Sequence, residues 1–456
     1  MGPQGLTRFF YWLPTARPTR KFIYLVRLTI SIKMLSAKTN FLFTAGIITA
    51  LLFLFVPTVA NSQVIGCTEP SANNYNPSAT INDGSCTYSI VTYTPPVKID
   101  PISDSLAESS GLQMAGNSLW SFNDRGGTAT LYRIDTVANI LLQRIILLGA
   151  QNTDWEDIAF DGTYFYIGDF GNNASGDRTD LRIYKFPFAA IPDYVTNPVA
   201  VIDAGNIETI YFTYSDQPQP PATTALNSTQ FDCEAMIVDA GKIHLFTKNW
   251  IDNNSTHYVI NSTAGGTYKA LAAETFNTGY LVTGADKAPG LKMVALLGYQ
   301  SSGTGKHFLH LLTAYSNGKY FNGNKRKIDL PDVTVMGQAE GITFRNSSDG
   351  YISNEKFMFG SFFTVQQKLR TFNISSFVNA VPGSYIFTGD GNWSLAANWA
   401  NGIVPPASPL QGSEIIIDPV MKGACVLDIP YTVSSGTNIT VSDGKIFLVQ
   451  GNLIIR

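Results

Sequence analysis

Residues 151–173 read QNTDWEDIAFDGTYFYIGDFGNN. Acids crowd the front of this stretch (Asp154, Glu156, Asp157), and an acid with two amides closes it (Asp169, Asn172, Asn173). Between them, two apolar runs flank Asp161-Gly162. A turn dipeptide between strand-like runs predicts a β-hairpin. Only 14% of the chain is charged, so carboxylates at both ends of one hairpin call for a reason.

The same plan recurs along the chain. The segments are ESSGLQMAGNSLWSFND from Glu108, EDIAFDGTYFYIGD from Glu156, EAMIVDAGKIHLFTK from Glu234, DKAPGLKMVALLGY from Asp286 and EGITFRNSSDGYISNE from Glu340. Each opens on an acid, runs through a short apolar stretch to a turn, and returns along a second strand that ends on a polar residue. Further strand-like runs follow each hairpin, giving about four strands per unit. The opening acids lie about 50 residues apart, with one gap near 80; units of this size and strand number are the signature of propeller blades. The expected fold is all-β, a five- or six-bladed β-propeller over residues 91–380. A sixth blade would be hidden in 188–231 or closed by strand 92–99 joining the last blade. An ordinary β-sandwich with chance internal similarity is the alternative.

Strands alternate in direction within a blade, so the start of the first strand and the end of the second lie at one end. Glu108, Glu156, Glu234, Asp286 and Glu340 are therefore expected to form an inner ring at one channel mouth, as candidate metal ligands. Asp124, Asp169, Lys248, Tyr299 and Glu355 would stand around them, with Asp124, Asp169, Lys248 and Glu355 as candidate ligand-binding residues. At an effective dielectric near 20, two like unit charges 4 Å apart cost ~4 kcal/mol. Strand-end amides, Lys248, raised carboxyl pKa values or a bound cation must offset this. Oxygen-only ligands point to Ca²⁺ rather than Zn²⁺ or Cu²⁺. The four histidines (His244, His257, His307, His310) form no metal-spaced motif. A second Ca²⁺ candidate, without EF-hand spacing, is Asp169, Asn172, Asn173, Asp177 and Asp180. The competing reading is that each acid hydrogen-bonds the neighbouring blade's backbone and only sets blade register.

The flanks differ in character. Residues 41–60 are an uncharged apolar run preceded by Lys33 and Lys38 and followed by small residues, so 1–63 read as an extension and signal peptide cleaved after Ser62. An uncleaved membrane anchor and lipidation at Cys67 are the alternatives. Residues 64–90 are rich in Asn, Pro, Gly and Ser, with Cys67 and Cys86 bracketing a segment too small for a hydrophobic core; a disulfide between them is expected to staple it. Cys233 and Cys425 read as free, buried thiols. Residues 384–456 carry Trp393 and Trp399, then several short strands, and form a β-rich module whose pattern is still running at Arg456, as in a truncated module. The two tryptophans are either module core or a sugar-stacking platform. Net charge is −3 with no basic stripe, which argues against nucleic acid as a partner.

Three resemblances add to this. Residues 64–90 resemble a GCTDP–A–NYNP–A–DDGSC module common in secreted proteins of Gram-negative bacteria that use type IX secretion. Glu108 to Gly111, Asn123 to Gly127, Asp154 to Ala159, Gly168 to Asn173, Phe246 to Lys248 and Ala339 to Gly341 resemble the ESSG, NDSGG, DWEDIA, GDFGNN, FTK and AEG motifs of a family of secreted propellers. Its wider superfamily includes Ca²⁺-dependent phytase-like, gluconolactonase-like and NHL-type propellers. Arg125 stands where that pattern more often has Ser. The GNW–ANW–G–P run resembles a module that opens β-solenoid-like stretches in large surface proteins. Together these imply a secreted or outer-surface protein with no membrane span after signal cleavage. The expected function is binding of a small polar ligand, glycan or surface protein at an acidic, Ca²⁺-holding mouth. A metal-dependent hydrolase of phosphoester or lactone type, with Lys248 steadying an anion, and a scaffold without a ligand are the alternatives.

Overall fold

The computed structural model describes residues 63–455, except 361–362, 379–380 and 435. The expected leader, residues 1–62, lies outside the described residues. Among the described residues, no helix is long and apolar enough to cross a membrane.

Five antiparallel blades make up the centre of the chain. Blade 1 is Ser109–Ala115, Ser118–Asn123, Thr130–Ile134 and Leu141–Leu147; blade 2 is Trp155–Phe160, Tyr164–Asp169, Arg182–Pro187 and Glu208–Tyr214. Blade 3 is Cys233–Asp239, Lys242–Thr247, Asn254–Ile260 and Gly266–Asn277; blade 4 is Leu281–Lys287, Met293–Tyr299, His307–Thr313 and Asn324–Asp329. Blade 5 is Gln338–Phe344, Asp349–Glu355 and Lys368–Asn373, completed by Val97–Ile99 from the other end of the propeller sequence. The first strands of the five blades neighbour one another in a closed ring. The 188–231 stretch holds no sixth blade. Its strand Val199–Ile202 extends blade 1 in parallel, and Glu208–Tyr214 is the outer strand of blade 2.

The inner strands of the blades are buried on both faces, which is why they read as nearly unbroken apolar runs, while outer strands such as Glu208–Tyr214 alternate. Met293–Tyr299 and His307–Thr313 are buried almost throughout. Between blades 1 and 2, Trp120, Phe122, Trp155 and Phe165 pack together, with the Phe122 and Trp155 rings 5.2 Å apart edge to face. Aromatic pairs in this geometry add about 0.5–1.5 kcal/mol each beyond their buried area.

One irregularity repeats in every blade. The pairing of the first strand with the second slips between Ser109 and Leu112, Trp155 and Asp157, Cys233 and Ala235, Val282 and Gly284, and Ala339 and Gly341. Such bulges re-aim the extra residue out of the ladder. The residues placed there are Ser110 (with Gly111), Glu156, Glu234, Thr283 and Glu340.

The flanking modules are both β. Cys67 and Cys86 form a disulfide, and Cys233 and Cys425 are buried free thiols. The stapled segment sits on the outer strand of blade 4, where Asn324 donates to Glu69 (3.1 Å) and accepts from Asn82 (3.0 Å). In the C-terminal module, Ser384–Phe387, Glu414–Ile417 and Asn438–Val441 pair in parallel. Gly391–Asn392, Ala424–Leu427 and Ile446–Val449 make a second parallel ladder, and Tyr431–Val433 with Leu453–Ile455 a third. These are stacked rungs of a three-sided solenoid. Trp393 and Trp399 are 0% and 2% exposed inside it, so they are core and offer no stacking platform.

Candidate functional site

The bulges decide which side chains meet. Glu156, Glu234 and Glu340 occupy equivalent bulge positions in blades 2, 3 and 5 and line one cavity of about 270 Å³. All three are buried. In blades 1 and 4 the same position holds a short hydroxyl residue. Ser110 donates to the Glu156 carbonyl (2.7 Å) and Thr283 to the Ala339 carbonyl (2.9 Å), each a bond to the next blade. The register role of the competing reading is thus taken by these hydroxyl residues and, of the five opening acids, by Asp286, which accepts from the Phe344 amide of blade 5. Asp157 shares it, accepting from the Met236 amide of blade 3 (2.7 Å).

Two of the expected ring acids do not occupy the bulge position. Glu108 precedes the bulge by two residues, so it keeps the same face of the strand and lines the cavity from an exposed rim position. Asp286 corrects the expectation outright. Blade 4 begins its first strand at Leu281, so Asp286 comes near the end of that strand, at the opposite mouth. There its carboxylate accepts from the Phe344 amide (2.7 Å) and the Thr343 hydroxyl (3.0 Å), and burial pushes its pKa up to about 7.

Among the outer residues, Asp124, Lys248 and Glu355 line the cavity. Tyr299 reaches Glu340 Oε1 through its hydroxyl (3.4 Å). Asp169 does not belong with them; the blade 2 equivalent of Asp124 is Phe170. Fully buried, Asp169 takes Arg178 (3.0 Å) and Arg182 (2.9 Å) in ion pairs and accepts from the Asp154 amide (3.1 Å). This makes it the anchor of the loop behind the site. The proposed five-residue Ca²⁺ set at 168–180 is likewise taken up internally. Asn172 binds Asp232 and Arg178, Asp177 binds Ser175 and Thr223, and Asp180 pairs with Arg178. Only Asn173 faces the cavity.

The residue that the sequence reading left out of the ring is Asp154. With Asp124 and Glu156 it brings three carboxylates from blades 1 and 2 together, with a ligand oxygen of each within 4.8 Å of the others. Its signal was present: Asp154-Trp155-Glu156, Asp232-Cys233-Glu234 and Gln338-Ala339-Glu340 align on one polar-x-Glu pattern. Two acceptor oxygens of this cavity, Asp124 Oδ1 and Asn173 Oδ1, are buried without any hydrogen-bond partner. Buried oxygens of that kind cost free energy unless a donor or a cation meets them.

The electrostatics follow from this crowding. Burial and the neighbouring Asp154 charge push Asp124 up to about 7; burial and Asp232 push Asp154 up to about 6. Glu156 is raised well above the usual carboxyl range by burial, then by Glu234. Burial also raises Glu234 and Glu355, in Glu234 against the pull of Lys248. Lys248 Nζ lies 2.5 Å from Glu234 Oε2. Burial disfavours its charge, but Glu234 and Glu340 outweigh that and hold it protonated.

No family model and no curated protein matches the chain. Solved structures similar to it include the PQQ-bound aldose sugar dehydrogenase of Streptomyces coelicolor, at 11% identity and a TM-score of 0.34, covering 61% of this chain and all of that one. A protein described as a 6-phosphogluconolactonase from Bacteroides uniformis matches at 11% identity and 0.31, over 63% of this chain and 72% of that one. A chain of the mitotic checkpoint complex matches at 12% and 0.26, over 57% and 60%. Likeness at this level carries nothing about activity. Strand pairing defines the class: a five-bladed β-propeller with an acidic mouth.

Proposed function

We propose that this propeller binds a divalent cation, Ca²⁺, through Asp124, Asp154 and Glu156 at its acidic mouth, and that the cation-loaded mouth is an extracellular binding site for a small polar ligand or glycan. The carrying observation is the triad of carboxylate oxygens within 4.8 Å of one another. Its donors are all oxygens, and Asn173 adds a neutral one, which suits a hard cation with six to eight oxygen ligands. Export is supported by the apolar run at 41–60 and by the Cys67–Cys86 disulfide, a bond that persists in oxidising compartments. The GCTEP–NYNP–NDGSC pattern supports the type IX route.

A hydrolase would use the same ion to polarise a phosphoester or lactone. Lys248, expected to steady the anion, is engaged by Glu234 instead, so binding is the better-supported function. Thermal melting with and without CaCl₂ tests the reading. At 100 times its Kd the ion adds ~2.7 kcal/mol to stability, and Glu156→Gln should abolish the gain. Equal melting with and without Ca²⁺, Mg²⁺ or Mn²⁺ would overturn it.

A further inference from the structure

Resting on that cation reading, we infer that the mouth has a second subsite, on the blade 5 side, that receives a protonated amine. Glu340 carries the inference. It is 5% exposed, its Oε1 accepts from Gln338 Nε2 (2.8 Å) and Tyr299 (3.4 Å), and its Oε2 has no partner. Fixed in this way, the carboxylate leaves one buried acceptor for something in the cavity it lines. Glu355 lines the same cavity, close enough to feel the charge of Glu340. The buried cation on this side, Lys248, already has Glu234. Glu340 therefore presents to the cavity a buried oxygen that no protein donor meets, with the Glu355 carboxyl beside it.

These acids do not form a cage for a bare ion. Among the described residues, the one group of three or more acids with closely gathered oxygens is Asp124, Asp154 and Glu156. A divalent ion needs many oxygens at ~2.3–2.6 Å. An ammonium group instead offers three directional N–H donors at ~2.7–2.9 Å, which suits a few acceptors set further apart. The cavity, about 270 Å³, is near the lower end of small-molecule sites, which start at roughly 300 Å³. That leaves room for a small amine beside a hydrated ion. The mouth would then select ligands that pair an amino group with oxygens able to reach the cation.

The test is a thermal-shift and calorimetric titration of the whole protein at constant ionic strength, using ethanolamine and its uncharged counterpart ethylene glycol, with and without CaCl₂. Ethanolamine should raise the melting temperature and ethylene glycol should not. Glu355→Gln and Glu340→Gln should each weaken ethanolamine binding by about tenfold or more, as for a charge-assisted hydrogen bond, and keep the Ca²⁺ response. Asp124→Asn should lose the Ca²⁺ response and keep the ethanolamine response. The inference is overturned if ethanolamine gives no shift in the wild type, if its effect is unchanged in both glutamine variants, or if it displaces Ca²⁺ one for one. Loss of the Ca²⁺ response alone, with the amine response intact, would sink the cation reading and leave the amine subsite standing.

Discussion

Gly171 shows how closely the loop behind the mouth is fitted. A β-carbon there would lie 2.0 Å from Glu156 Oε1 and 2.5 Å from Asp154 Oδ2, so any side chain must push the triad apart. Arg178 holds the loop by donating to the Gly171 carbonyl (2.8 Å) while it pairs with Asp169. Gly171→Ala should therefore abolish the Ca²⁺-induced rise in melting temperature while circular dichroism still reports a folded β protein. Gly205→Ala, where a β-carbon meets nothing, should leave the rise intact. Similar loss in both variants would contradict the assigned fit. The acids at the two ends of 151–173 thus do different work. Of the front acids, Glu156 lines the cavity and Asp154 gathers beside it and Asp124, while the rear acid Asp169 is neutralised by two arginines to position the loop.

The raised carboxyls also give a pH dependence. Asp124 at about 7 and Asp154 at about 6 titrate far above the ordinary carboxyl range, chiefly because they are buried. The folded state therefore binds protons more tightly than the unfolded chain, and that stabilisation is lost as pH rises through 6 to 7. In EDTA the melting temperature should fall between pH 5 and pH 8. Saturating Ca²⁺, which binds the ionised forms of the triad, should reduce the fall, and Asp124→Asn should make it shallower in EDTA. A melting temperature in EDTA that rises over this interval would count against the assignment.

At the scale of the element, the repeated bulge is what turns a ring of strands into a ring of functional groups. Turns and strands were legible in the sequence because Asp161-Gly162, Asp239 to Gly241 and Pro289-Gly290 punctuate apolar runs, and each does connect the first two strands of its blade. The register was less legible. Aligning the repeats on their acids places Glu108 two residues early, which preserves the face of a strand. It places Asp286 three residues late, which carries it to the other mouth. The bulge position in blade 4 is filled by Thr283, and no acid marks it. Nor does local sequence show that Asp169 is met by Arg178 and Arg182. Asp286→Asn should accordingly leave the Ca²⁺ response unchanged. Thr283→Ala should cost about 1–3 kcal/mol of stability, the usual penalty for stranding a buried polar partner, without altering that response. Calcium titrations monitored by melting and urea denaturation would separate the two effects.

On the scale of the whole molecule, closure depends on Val97–Ile99, which pairs with Lys368–Asn373 and so joins the two ends of the propeller sequence within blade 5. Arg370 reinforces this by donating to the Pro95 carbonyl (3.0 Å). The stapled segment outside it buries little apolar surface beyond Cys67, Ala72 and Cys86. Its order must come from the disulfide and its polar contacts with blade 4. A staple closing a loop of about this length is worth roughly 3 kcal/mol. Reductant should therefore open residues 64–90 to limited proteolysis while the blades stay resistant, and a segment equally protected with and without reductant would argue against the staple's role. At the lower mouth, the solenoid's first ladder and the blade turns enclose a further cavity of about 540 Å³ that includes Asp286. The propeller thus has two chemically distinct ends, and among the described residues the upper one gathers unpartnered acceptors from blades 1, 2 and 5.

The most direct test is an anomalous difference map from crystals of the protein soaked in a heavier Ca²⁺ analogue such as terbium. The account predicts a peak in the upper mouth at about 2.3–2.6 Å, the Ca²⁺–oxygen range, from oxygens of Asp124, Asp154 and Glu156. Peaks confined to other acids, with this mouth filled only by water, would contradict it.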